Sequence, residues 1–254
     1  KREVYNSKLR AGIKAERGVV MKGKNLERAV ILGLILSTGV YGSALAEDYN
    51  ADNIQQNGIV VSTGETKDYT LNDNVEHNDM DKTWITNNGG KLTITGGEGS
   101  SLDVATNADS AISNSNGETT INTDEDIKIS ANWEGGTGNN VYTINQEKEF
   151  DNSGSNSKVE IKTNGAVEIR AESDTSYGSA INSAVFYANG NIETVIEGDN
   201  VKVIANTYEH GGSAAIMLSN LASSENKNTI LITGNGTTDN FIKSYTSDAI
   251  NVAG

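Results

Sequence analysis

The 254-residue chain has no cysteine, no proline and only two histidines. Without cysteine it has no disulfides, no thiol nucleophile and no thiolate metal ligand. Aromatic residues make up 6% and hydrophobic residues 35% of the chain, so a large globular core with big aromatic anchors is not expected. His77 and His210 lie 133 residues apart in polar text. They read as exposed polar residues, not as a metal pair or a catalytic dyad. No G-x-S-x-G elbow and no phosphate-cradling G-x-x-x-x-G-K-[ST] loop is present.

Charge of one sign is also scarce, and it is unevenly placed. Residues 1–46 carry 9 basic and 3 acidic groups, which leaves 11 of the 20 basic and 31 of the 34 acidic groups for the rest. That remainder, at a net charge of −20, repels nucleic acid and anionic membrane, so neither is expected as a partner. The charge reads first as a solubilising feature of an extended surface.

Asn, Thr, Ser, short β-branched runs and 27 glycines are what the chain does contain. This composition suits many short strands and turns. Near the start, Met21 opens "MKGKNLERAVILGLILSTGVYGSALAEDYN". Lys22, Lys24 and Arg28 form a basic region, and Ala29–Leu36 is apolar apart from Gly33. Ala44-Leu45-Ala46 fits the small-x-small cleavage rule, with Ala44 and Ala46 at the two small positions. Residues 21–46 therefore read as a helical secretory signal peptide. The apolar run is shorter than the ~20 residues that span a bilayer. Residues 1–20 read as an upstream extension outside the mature fold.

The rest of the chain repeats. Ile112, Ile181, Ile216 and Ile250 each close a "[SAD]-A-I" triplet, at steps of 69, 35 and 34 residues. A further copy is expected midway through the first step, and Val141-Tyr142-Thr143-Ile144 supplies it. Thr83-Trp84-Ile85 is an earlier, weaker copy. Two alternating runs follow each copy: "KLTITG" and "SLDVAT", "TTINT" and "DIKISA", "KVEIKT" and "AVEIRA", "IETVIEG" and "NVKVIAN", "NTILITG" and "NFIKSYT". Apolar residues at i and i+2 turn one strand face inward. In the last two pairs the inward residues read as Ile192 and Val195, Val201 and Val203, Ile230 and Ile232, then Phe241 and Lys243 with Ile242 out of phase.

Three short strands per roughly 34 residues, joined by Gly, Asn and Asp turns, make one triangular coil. The pattern predicts an all-β fold over residues 81–254, a right-handed parallel β-helix whose repeat core includes Ile112, Ile144, Ile181, Ile216 and Ile250. Residues 47–80 fit the coil less cleanly and read as an N-terminal β cap, with strands at Ile59-Val60-Val61 and Tyr69-Thr70-Leu71. The loops expected to vary are 145–157, 206–213 and 219–228. A hairpin-built β-sandwich is the rival fold. It would need two-residue turns, whereas the expected inward residues Ile129, Ile169 and Val203 each lie 8 beyond Ile121, Ile161 and Val195.

Two local motifs approach known chemistry. Asn122-Thr123-Asp124 resembles the N-T-D of β-helical polygalacturonases, in which paired carboxylates hydrolyse glycosides. The companion motifs are missing: Glu209-His210-Gly211-Gly212 lacks a leading Gly, and no R-x-K follows. "NTDED" stands where other coils have turn residues, and no catalytic residue is expected. Gly96-Gly97-Glu98-Gly99 and Gly135–Tyr142 approach the calcium-binding nonapeptide repeat, but Ser101 and Asn140 replace its Asp and the copies are not tandem. No metal or cofactor is expected.

A signal peptide followed by an acidic, cysteine-free β-helix with "SAI…I-x-I…V-x-V-x-A-N" coils resembles the passengers of Gram-negative autotransporters. Ser179–Asn206, Ala214–Ile232 and Asp248–Gly254 carry the resemblance. It implies export to the cell surface or medium, and a C-terminal outer-membrane β-barrel beyond Gly254. Its partners would be host or bacterial surface ligands, bound by an adhesive stalk. A self-associating biofilm protein and a polysaccharide-degrading β-helix are the alternatives.

Overall fold

The computed structural model describes residues 47–49, 58–133, 140–149, 155–186, 190–208, 214–220, 227–236 and 239–253. The segment 21–46 expected to be a signal peptide, with Ala44 and Ala46, lies outside them. Twenty strands and no helix occur among the described residues.

The strands follow one another as coils of three. A short strand β1 (Glu47–Tyr49) comes first. Coil one is β2 (Ile59–Val61), β3 (Thr66–Leu71) and β4 (Val75–Met80). Coil two is β5 (Ile85–Asn87), β6 (Lys91–Gly96) and β7 (Leu102–Thr106). Coil three is β8 (Ser110–Asn114), β9 (Glu118–Thr123) and β10 (Ile127–Asn132). Coil four is β11 (Asn140–Glu149), β12 (Ser157–Thr163) and β13 (Ala166–Glu172). Coil five is β14 (Tyr177–Phe186), β15 (Ile192–Gly198) and β16 (Asn200–Asn206). Coil six is β17 (Ala214–Asn220), β18 (Asn228–Gly234) and β19 (Phe241–Ser244), and β20 (Asp248–Ala253) opens a seventh.

Every third strand pairs, always in parallel, and three sheets result. The first runs β2-β5-β8-β11-β14-β17-β20, the second β1-β3-β6-β9-β12-β15-β18 and the third β4-β7-β10-β13-β16-β19. This is a right-handed parallel β-helix with three strands per coil, the crossover hand that twisted parallel strands favour.

The register explains the repeat. Ile59, Ile85, Ile112, Ile144, Ile181, Ile216 and Ile250 stand one above another in the first sheet. Ile94, Ile121, Ile161, Ile196 and Ile232 form a second column. Val104, Ile129, Ile169, Val203 and Ile242 form a third. All but the last members of these columns are buried. Burying an Ile side chain contributes roughly 1.5–3 kcal/mol, and only stacking removes this face from water.

Several expectations are corrected. The strands read as a cap are in register with the coils, since Ile59 pairs with Ile85 and Tyr69 with Ile94; they form the first coil. Successive Ile steps are 26, 27, 32, 37, 35 and 34 residues, so the coil length is not constant. The strands keep the frame while the connections vary. Thr194 and Ile196, not Val195, pair with the inward Val159 and Ile161. Asp199 alone joins β15 to β16, so the inward pair there is 7 apart instead of 8. Ile242 pairs with the inward Val203, which turns Phe241 and Lys243 outward. Asn145–Glu149, expected in a loop, continues β11.

Buried side-chain amides fasten the corner between the first and second sheets. Asn87 donates to the Gly90 and Glu118 carbonyls and to Thr119 Oγ1, and accepts from Gly90 N–H. Asn114 donates towards the Gly117 carbonyl (3.0 Å), Gln146 Oε1 (3.1 Å) and Ser157 Oγ (2.7 Å), and accepts from Thr119. Gln146 donates to Thr194 Oγ1 (2.7 Å) and the Glu193 carbonyl. Ser183 donates to Asn228, which donates back to the Ser183 carbonyl. This spine spans coils two to six and satisfies the polar groups that a tight corner leaves inside.

Candidate functional site

The outer faces of the second and third sheets carry charges in alternating columns. Lys91, Glu118, Lys158 and Glu193 follow one another, with Lys91–Glu118 at 3.6 Å and Lys158–Glu193 at 3.8 Å. Asp103, Lys128, Glu168 and Lys202 do the same on the third sheet, with Asp103–Lys128 at 3.4 Å. Glu160 is gripped by Lys158 (2.8 Å) and Lys162 (2.5 Å), and their hydrogen bonds hold its carboxyl below the usual range. Opposite charges on neighbouring strands support register, and these faces offer no large field of one sign.

The corner between the second and third sheets absorbs the carboxylates of "NTDED". Asp124 accepts from Gly99 N–H (2.8 Å) and Asn164 Nδ2 (3.0 Å), which lowers its pKa. Asp126 accepts from Ala166 N–H at 2.8 Å. Both clamp one coil's turn to its neighbour's. Gly99, in the calcium-like "GGEG", has φ +78°, a left-handed turn position that suits glycine. Gly135–Gly138 lie outside the described residues, as does His210.

His77 corrects the expectation of an exposed residue. It is 3% exposed and packs in register on Val104. Burial lowers its pKa, and Nε2 has no hydrogen-bond partner. The β-strand period places it: Val75, His77 and the inward column alternate with exposed Glu76 and Asn78. Lys148 is 1% exposed and donates to the Ser155 carbonyl, so its ammonium is held inside the fold. No group of three or more His, Asp or Glu side chains able to hold a metal occurs among the described residues.

Clefts of about 480 to 590 Å³ open along the first two corners, and the remaining corner, between the third and first sheets, carries one as well. A cleft of about 630 Å³ opens there, lined by Asn107, Asn132, Trp133, Glu172, Ser173, Asp174 and Asn206. In-register pairing sets Asn132, Glu172 and Asn206 side by side on consecutive coils. The Trp133 backbone N–H donates to the Glu172 carbonyl (3.1 Å), and its partly buried ring packs on the core. Trp133 Nε1 and Asn132 Oδ1 are occluded and have no hydrogen-bond partner. Arg170 holds Glu172 at 2.9 Å and Glu168 at 2.8 Å. Ser173 Oγ accepts from Ser176 N–H at 2.9 Å and closes the turn below.

The repeat signal located the coils but not this cleft. Trp133 follows the third strand of coil three, where the alternating pattern has ended, and only its rarity in the sequence marks it. The sequence-predicted column Ile112, Ile144, Ile181, Ile216 and Ile250 is brought together as core, with Ile250 still 51% exposed. No protein-family model matches the chain, and no curated protein or solved structure does either.

Proposed function

We propose that the chain is an exported, surface-displayed β-helical passenger of the autotransporter kind, acting as a stiff stalk and an adhesin. The observation that carries this is the parallel stack of coils, which follows a segment that reads as a secretory leader. Six full coils share three sheets, and strands in such sheets lie about 4.8 Å apart. Each coil adds that much reach, while its corners are free to carry recognition. Alternating charge columns keep the long surface soluble, and cysteine-free coils thread an export channel without disulfide traps.

The test is expression of the complete gene, epitope-tagged within the coils, in a Gram-negative host. The expected results are tag accessibility to antibody on intact cells, a mature N-terminus at Glu47, and adhesion or aggregation above empty-vector cells. A tag confined to the cytoplasm, or surface display with no adhesion to cells, matrix or glycans, would overturn the proposal.

A further inference from the structure

We infer that the cleft around Trp133 binds a neutral oligosaccharide. This gives the adhesive reading its ligand class and rests on that reading for its setting, while the chemistry stands on the cleft alone.

The volume of about 630 Å³ falls within the range of small-ligand sites. The chain has two tryptophans. Trp84 is fully buried in the core, whereas Trp133 lines the cleft. A pyranose ring presents an apolar C–H face and a rim of hydroxyls. An indole held against the core offers a rigid platform for the first. Hydroxyls both donate and accept, and the amides of Asn107, Asn132 and Asn206 do the same.

Two orphaned polar atoms, Asn132 Oδ1 and Trp133 Nε1, sit on residues of this wall. Occluded polar groups without partners are disfavoured in native structures and mark sites where a partner belongs. The charge of the cleft narrows the ligand. Among the described residues Asp174 and Glu172 line it and no cationic side chain does, and Arg170 is taken up by Glu168 and Glu172. Uronates, sulfated glycans and phosphates meet repulsion there.

The coil repeat extends the surface into a track. Asn107 precedes, and Tyr245 follows, the register positions of Asn132, Glu172 and Asn206. Four strand spacings of about 4.8 Å give a row about 19 Å long. Tyr245, 56% exposed and with Lys243 Nζ 3.8 Å from the centre of its ring, stands at its far end. A row of this length suits a chain of sugar rings better than a single one.

The test is tryptophan emission of the full chain titrated with neutral hexasaccharides of glucose, galactose, mannose and N-acetylglucosamine, with polygalacturonate as the anionic comparison. Trp84 is sealed in the core, so a ligand-dependent change reports Trp133. Expected is a saturable change with at least one neutral hexasaccharide at or below about 10 mM, and none with polygalacturonate. Trp133→Leu should abolish binding by calorimetry, and Asn206→Ala, at an exposed position that leaves the fold intact, should weaken it at least ~10-fold. No change with any neutral hexasaccharide, preferential binding of polygalacturonate, or unaltered binding in Trp133→Leu would overturn the inference. Failure here leaves surface display measurable by antibody on cells, so the two proposals fail separately.

Discussion

Asn114→Ala is the sharpest probe of how the coils are held together. The Asn114 amide links coil three to coil four through Gln146 Oε1, Ser157 Oγ and the Lys158 carbonyl, and it holds its own coil through Gly117 and Thr119. Truncation removes two N–H donors and one acceptor, all buried. Each orphaned partner costs about 1–3 kcal/mol. Ser157 Oγ still reaches Gln146 Oε1 at 2.9 Å, which recovers part of the loss. The net expectation is a destabilisation of about 3 kcal/mol, or a urea midpoint lower by about 1.5 M for a slope near 2 kcal/mol/M. Asn114→Leu refills the volume without the hydrogen bonds and should be nearly as damaging, which separates the lost bonds from a cavity. The assay is urea unfolding followed by far-UV circular dichroism and by tryptophan emission, which reports Trp84 and Trp133 beside coils two and three. Asn164→Ala, which removes an exposed bond to Asp124, should shift stability by less than ~1 kcal/mol. If the Asn114 variants shift the midpoint no more than Asn164→Ala does, the spine does not hold the stack.

Other outcomes follow from single positions. Ile144→Ala should cost about 2–5 kcal/mol, whereas Ile250→Ala, at a half-exposed member of the same column, should cost under ~1 kcal/mol by the same unfolding assay. Burial lowers the His77 pKa, so the unfolded state binds the proton more readily. The His77 contribution is complete above its unfolded value near 6.5 and declines as pH falls through that value toward the lower native one. Urea midpoints at pH 7.5 and 5.5 should therefore differ less in His77→Leu than in the parent chain. Burial, with the Glu147 charge adding to it, pushes the Tyr142 phenol up to about 12. Phenolate absorbance should show one late-titrating tyrosine that Tyr142→Phe removes.

The three-strand coil was legible because inward residues alternate and the column position recurs as Ile, as at Ile112, Ile144 and Ile181. Where the signal failed, the turns were responsible. A single linking residue, Asp199, shifts the phase between β15 and β16, so counting a fixed eight from Val203 reaches Val195 instead of Ile196. In β19, Phe241 and Lys243 flank Ile242, and without the register to Val203 the larger aromatic residue looked like the core member. The first coil reads as a cap because its third strand, with His77 inward and a register shift between His77 and Met80, lacks the apolar alternation of the later coils. His77 was misread because polar neighbours masked its place in the strand alternation. The cleft was illegible for a different reason. Its residues come from four strand ends and the positions just after them, 25 to 40 apart, and only stacking brings Asn132, Glu172 and Asn206 together.

Cysteine pairs placed across neighbouring coils test the central claim most directly, since the chain brings no thiol of its own. Thr120 and Glu160 are in-register partners on the outer face of β9 and β12. Their Cα atoms stand about 4.8 Å apart in a parallel ladder, within disulfide reach. Thr120 and Lys162 are displaced by two residues and lie roughly 8 Å apart, beyond that reach. On mild oxidation, Thr120→Cys/Glu160→Cys should close a disulfide detectable by peptide mapping, while Thr120→Cys/Lys162→Cys should remain reduced. Closure of the second pair in preference to the first, or of neither, would contradict the stacked parallel register.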